Sequence, residues 1–239
     1  LNQFNSFWNL PQGLRKPIGT FVNRVINDHR GARLQAILSA DSGAFLDLYP
    51  ELGKYCTDEQ IKASGISPTN KCVSNYLKLI GFDSSWSPMT QVSFGELYRY
   101  ASSVLLRDSD QMGMANSLEI RVPFMDHRLV NFVLSLDDSV KQAYPKPKQF
   151  LIDSLEGILP KEVLYRKKQG FNLPYDHWLR HELRDFAERY VECLDQRAIF
   201  SPSYVKNLWT LYQKGNKRVQ WVEIWNLVRL ESWLQLQGF

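Results

Sequence analysis

The sequence predicts a mainly α fold, on three observations. Apolar residues recur at helical spacing through most of the 239 residues, strand-like alternation is almost absent, and prolines and glycines fall between the helical runs. The composition agrees. A hydrophobic share of 44% and a charged share of 23% are ordinary for a globular chain, and thirteen Phe, eleven Tyr and seven Trp supply bulky core material. Such a chain is long enough to bury a core and too apolar to be disordered.

Taken in order, Phe21, Val22, Val25 and Ile26 mark a helix within Thr20 to Leu38, broken at Gly31. Thr57-Asp58-Glu59-Gln60 has the form of a capping box, in which the threonine accepts from the third helical amide while Gln60 reaches back; the helix it opens ends near Gly65. Ser93-Phe94-Gly95-Glu96 repeats that signature, and Leu97, Tyr100, Ala101, Val104 and Leu105 continue as one apolar stripe. Tyr144-Pro145-Lys146-Pro147 interrupts helix, because proline donates no amide and pushes its predecessor out of the α region. Phe150, Leu151, Leu155 and Leu159 restart a helix that Pro160 closes. Ser201-Pro202 reads as an N-cap with proline at the first helical position, continued by Tyr204, Leu208, Leu211 and Tyr212 to Gly215. From Val219 onward Trp221, Ile224, Trp225, Val228 and Trp233 form a last helix too aromatic to be left in water.

The formal charge of +4 arises from 29 basic and 25 acidic residues scattered along the chain, so no basic arm or stripe announces nucleic acid. The small excess suits a polyphosphate ligand. No apolar run approaches the roughly 20 residues of a membrane-spanning helix, and Leu1-Asn2-Gln3-Phe4-Asn5 has neither the basic nor the apolar region of a secretion signal; a cytoplasmic location is the expectation. Cys56, Cys72 and Cys193 form no C-x-x-C pair and have no histidine at ligand spacing, which argues against structural zinc and a disulfide framework. His177 and His181 share a helix face at i, i+4, but no glutamate follows His177 to make H-E-x-x-H, so they read as surface histidines.

Two segments depart from ordinary helix. In Ser117 to His127 charged and apolar residues alternate closely and Pro123 fixes a turn. If Glu119, Arg121 and Asp126 converge, the carboxylates can hold the guanidinium by charge-assisted hydrogen bonds; a structural ion-pair knot explains the same spacing. Tyr165-Arg166-Lys167-Lys168-Gln169-Gly170-Phe171 places three cations ahead of a glycine that permits close backbone approach. That pattern suits a phosphate or pyrophosphate leaving group, and it also suits a solvated surface.

A family resemblance bears on both segments. Asparagine synthetases carry D-R-x-S-M-A-x-S-L-E-x-R-x-P-F-L-D-H and, further along, R-K-K-x-G-F followed by a proline and a tryptophan. The chain resembles them in Asp110 to His127, in Arg166 to Phe171, and in Pro174 and Trp178. The match is specific from Leu97 to Trp178, weaker to Trp233, and over the first ninety residues extends only to helical character. It departs at Gln111, where the family has Arg, and at Gly113, where it has Ser, which puts substrate-side contacts of that helix in question.

The resemblance implies a helical C-terminal portion, residues 1–239, of an α/β synthetase domain of the adenine-nucleotide α-hydrolase-like (PP-loop) class. The implied reaction activates the aspartate side-chain carboxylate with ATP and Mg2+ as an acyl-adenylate, after which glutamine-derived ammonia displaces AMP. Lys168 is implied as the lysine at the phosphates, with Arg166 assisting by charge. Glu119, Arg121 and Asp126 are implied to brace the site wall, while Asp108 and Asp110 face either pocket or solvent. The family's S-G-G-x-D-S loop and G-x-G-x-D-E segment are missing from the sequence, as is the N-terminal cysteine of a glutaminase domain. The expectation is therefore a chain that does not catalyse alone and binds no cofactor tightly. Its expected partners are the remainder of its synthetase domain, a glutaminase domain and a small-molecule acid, with homo-oligomers favoured by any apolar face left uncovered. Two other readings stay open: the same scaffold amidating or cyclising another acid, and a non-catalytic helical interaction domain.

Overall fold

The computed structural model describes residues 8–68, 72–141, 148–167, 170 and 173–239. Helices carry it, as the apolar periodicity predicts, and no β-strand occurs among the described residues. The chain divides into two compact units, residues 1–72 with 172–239 and residues 73–171.

The first unit opens with α1 (Gln12–Ile26), α2 (His29–Leu38), α3 (Phe45–Leu52) and α4 (Asp58–Ala63). The break between α1 and α2 falls not at Gly31 but at Asn27, which is left-handed at φ 41°, and at Asp28, whose carboxylate caps α2 through the amides of Arg30 and Gly31. Gly31 sits buried inside α2, and a Cβ there would lie 3.1 Å from the Cα of Asn23. Gly19 does the same from the other side, 3.2 Å from the Gln35 carbonyl. The two glycines are therefore spacers that let a helical hairpin close. Arg15 is buried beneath it, its guanidinium satisfied by the carbonyls of Leu10, Ala40 and Asp41 at 2.9 to 3.0 Å. The capping box of α4 forms as read: the Gln60 amide donates to the Thr57 hydroxyl at 3.3 Å and the Thr57 amide to the Gln60 side chain at 2.7 Å.

The second unit holds α5 (Cys72–Leu79), α6 (Pro88–Glu96), a π-helical stretch (Leu97–Leu106), α7 (Arg107–Met114), α8 (His127–Ser135), α9 (Asp138–Lys141), α10 (Gln149–Ser154) and α11 (Lys161–Leu164). The helix expected to start at Ser93 starts at Ser87, with Pro88 at its first position, and runs on to Met114. Ser93 lies inside it. Asp138 fixes that start from a distance, accepting from the Ser87 hydroxyl at 2.6 Å and the Met89 amide at 3.1 Å. The helix expected over Phe150 to Leu159 stops at Ser154, and Leu155–Leu159 form turns around Gly157 at φ 81°. The turn read at Tyr144 to Pro147 lies outside the described residues. Tyr100, Val104 and Leu105 of the expected stripe are exposed.

The chain then returns to the first unit as α12 (Tyr175–Arg180), α13 (Arg184–Gln196), α14 (Tyr204–Gln213) and α15 (Trp221–Leu236), which enclose its main core. Ser203 is left-handed at φ 59°, so α14 begins after Ser201-Pro202 rather than with it, and Val205, Trp209 and Tyr212 turn inward while Leu211 stays exposed. Ile224 and Val228 of α15 are buried as expected, but Trp233 is exposed. Glu231 is 0% exposed and meets Arg197 with both oxygens, at 2.6 and 2.9 Å. Burial raises its carboxyl, but the guanidinium outweighs that and leaves it below its ordinary value.

Removing one member of a buried pair strands the other without a counter-charge. Arg197→Ala is expected to lower stability by about 3 kcal/mol or more, read from the urea midpoint. Replacing both Arg197 and Glu231 by apolar residues is expected to recover most of that loss.

Candidate functional site

All the described candidate residues lie in the second unit. The long helix ends at Met114, and the chain turns through Ala115, Asn116 and Ser117, the last left-handed at φ 56°. The Leu118 amide then donates back to the Gly113 carbonyl at 2.9 Å. Gly113 is buried at this contact, and a Cβ on it would stand 2.6 Å from the Leu118 carbonyl oxygen. The absence of a side chain is what lets the 115–118 turn lie on the helix. A serine, which the resemblance places at this position, does not fit that geometry unless the turn moves.

Beyond the turn, residues 118–122 are neither helix nor paired strand. Leu118, Ile120 and Val122 alternate there with Glu119 and Arg121, and the two charged residues pair directly, Arg121 Nε to Glu119 Oε1 at 3.0 Å. Both side chains are mostly exposed. Pro123–Met125 makes a single 3-10 turn and delivers Asp126 to the N-terminus of α8. There Asp126 accepts from the Arg128 amide at 2.9 Å and from its guanidinium at 2.9 and 3.1 Å. The Arg128 side chain, then its amide, holds the Asp126 carboxyl down at about 2. The structure thus divides the trio that the sequence grouped, because Arg128, two residues away, offers Asp126 both a cation and a helix end. Arg121 keeps Glu119 alone.

Asp108 and Asp110 lie inside the continuous helix, in the two turns before its end at Met114. Both are exposed, and Asp108 pairs with Arg107 at 3.2 Å. Arg166 is exposed just after α11, beside an open hollow of about 360 Å³ lined by residues 156–161, Leu164 and Tyr165. Lys168, with Gln169 and Phe171, lies outside the described residues. Arg107 and Arg128 are the partners that the sequence reading passed over. Each stands within two residues of its carboxylate, and that adjacency was the available signal.

The carboxylates do not assemble a metal site. Among the described residues no group of three or more His, Cys, Asp or Glu side chains is placed to hold an ion. The rings of His177 and His181 lie tilted at 42° with centres 4.4 Å apart, and His177 contacts Glu182 at 3.3 Å. No helix among the described residues is long and apolar enough to cross a membrane.

Glu119 and Asp126 thus each pair with an arginine two residues along the chain. Comparison with known proteins identifies the family. The asparagine synthase family model matches residues 18–235, and the chain belongs to that family. It is 30% identical to asparagine synthetase [glutamine-hydrolyzing] 1 of Bacillus subtilis (strain 168) over 156 residues, 62% of this chain and 25% of that protein. A second protein of the same strain, asparagine synthetase 3, is 48% identical over 67 residues, 28% of this chain and 11% of its own. The Rattus norvegicus asparagine synthetase is 36% identical over 93 residues, 35% of this chain and 16% of its own. The chain thus spans about a quarter or less of these relatives. No solved structure matches.

The Gly113 contact generates a test. Gly113→Ala and Gly113→Ser are expected to destabilise the chain by about 1 to 3 kcal/mol in urea unfolding, because the clashing atom is backbone and cannot swing aside. Unchanged midpoints would show that the 115–118 turn yields freely.

Proposed function

We propose that this chain is the helical portion of the synthetase domain of an ATP-dependent amidoligase. In that reading aspartate, ATP and glutamine-derived ammonia give asparagine, AMP and pyrophosphate. The observation that carries the proposal is the family match over residues 18–235, which includes both the Asp110–His127 and the Arg166–Phe171 segments. Lys168, assisted by Arg166, is the proposed cation at the phosphates, offsetting the negative charge that develops as pyrophosphate leaves. Glu119 with Arg121 and Asp126 with Arg128 hold the adjoining wall in place. The proposal assigns the magnesium ion of that reaction to other segments of a PP-loop domain.

Part of the case is apolar surface. Met112, Met114, Leu118, Ile120, Phe124 and Phe132 of the second unit are all exposed, and apolar side chains left to water suit a partner that covers them. The proposed cover is the remainder of the synthetase domain, with a glutaminase domain as the ammonia source; self-association of the bare chain is the competing use of the same face. A second reading rests on Gln111 and Gly113. Where the resemblance has an arginine and a serine this chain has an amide and a packed glycine, so the acid it amidates can differ from aspartate.

The test is aspartate-dependent exchange of labelled pyrophosphate into ATP, by the chain alone and by a polypeptide that joins it to a nucleotide-loop segment. The chain alone is expected to be silent. The joined form is expected to exchange, and Lys168→Ala to reduce that exchange by about a hundredfold or more while leaving folding intact. Exchange that survives Lys168→Ala would remove the lysine from the mechanism. Exchange with other acids but not aspartate would favour the second reading.

A further inference from the structure

A buried carboxyl in the first unit has no part in that reading. Glu223, the third residue of α15, is 5% exposed. One of its oxygens accepts the Gln220 amide at 3.2 Å, closing a capping box at the helix start. The carboxyl also lines a small hollow of about 10 Å³, room for one water at most.

The groups facing it offer no counter-charge. From α2 come His29 and Arg33, and Arg33 is turned to the Lys54 carbonyl at 3.2 Å. From α3 and the loop after it come Glu51, Lys54, Tyr55 and Cys56. Lys54 is held between Glu51 at 2.6 Å and Asp58 at 2.7 Å. Tyr204 of α14 donates to the Gln60 carbonyl at 3.3 Å, and burial, ahead of the nearby Cys56 and Glu223, moves its hydroxyl up. No ion pair joins Glu223 to any described residue.

We propose that Glu223 is a proton-linked latch: neutral, it lets segment 53–60 pack on the start of α15, and on losing its proton it loosens that packing. An ionised carboxylate in a space for one water is left without solvation or a cation, and the chain relieves this by admitting water between the segment and the helix. Burial moves the Glu223 carboxyl up to about 7 and, with the charge of Glu223, the neighbouring Cys56 thiol up to about 11. Because the folded value lies above the ordinary one, the stabilisation is complete below the unfolded value of 4.5 and is lost as pH rises through about 7. Just beyond the segment the chain is held where the Ser201 amide donates to the Ser64 carbonyl at 2.7 Å.

Two measurements on the whole chain test this. Carbon-13 NMR of glutamate-labelled protein follows each carboxyl through its titration, with Glu223→Gln identifying the relevant signal. Hydrogen exchange of residues 53–61, corrected for the intrinsic pH dependence of the amide, reads the packing. A titration midpoint near neutrality is expected, with protection of 53–61 falling about tenfold or more from pH 6 to pH 8.5 in the native chain and staying flat in Glu223→Gln. A midpoint near the ordinary glutamate value overturns the proposal. So does a neutral midpoint with pH-independent protection. Should Glu223→Gln fail to fold, Glu223→Met takes its place, and the native titration with the native exchange profile decides the matter unaided.

Discussion

Ala187, Val191 and Leu194 of α13 face Ile224 and Val228 of α15 across a seam from which water is excluded, with Val205, Trp209 and Tyr212 of α14 completing the enclosure. The rest of the first unit is arranged around that seam. Each fully buried aliphatic side chain contributes about 1.5 to 3 kcal/mol, which is what allows the unit to tolerate buried charge. Arg197 and Glu231 illustrate the tolerated case, in which both oxygens find the guanidinium. Glu223 is the other case. It accepts a backbone amide but meets no cation, and its environment answers by holding on to the proton. The same helix thus carries two buried carboxyls shifted in opposite directions: burial raises both, and only Glu231 has a guanidinium within hydrogen-bond reach to bring it below its ordinary value.

The second unit is built differently. Among its described residues only Leu77 is a fully buried large apolar side chain, and its order rests on directed contacts instead. Asp138 grips the start of α6, Lys141 reaches the Thr90 hydroxyl at 2.8 Å, Trp86 packs edge to face with Phe94, and Phe94 tilts against Tyr98. Such contacts fix direction more than they supply stability. A unit held in this way leaves Met112, Met114, Phe124 and Phe132 facing water.

The sequence was most informative where the deciding atoms lie close together along the chain. The Thr57 box needed only Gln60, three residues on, and formed as read. The competing starts at Ser87 and Ser93 look alike locally; Asp138 selects the first from 51 residues away, and no window of sequence contains that choice. Gly31 was misread for a related reason. A glycine that breaks a helix and a glycine that lets another helix approach are the same letter, and only the distance to Asn23 separates them. At the candidate site the carboxylates were recognisable but their partners were not. Asp126 was matched to the arginine five residues back, although Arg128 combines a guanidinium with a helix-end amide and takes it. The family itself was legible because its motifs are long, and it did not depend on any of these local choices.

These features bear on how residues 118–128 would act on the proposed reading. Glu119–Arg121 and Asp126–Arg128 are exposed pairs, and in water such pairs contribute about 0 to 1 kcal/mol and hold their geometry loosely. The apolar side chains that alternate with them, Leu118, Ile120 and Val122, are exposed as well. Covering that apolar face would therefore do two things at once. It would remove nonpolar surface from water, and it would place the charged pairs in a less screened medium, where their attraction strengthens and their orientation sharpens. On the proposed reading, assembly with the rest of the synthetase domain supplies both the nucleotide contacts and the rigidity of this segment. The alternation of apolar and charged residues between Leu118 and Val122 is what couples the two.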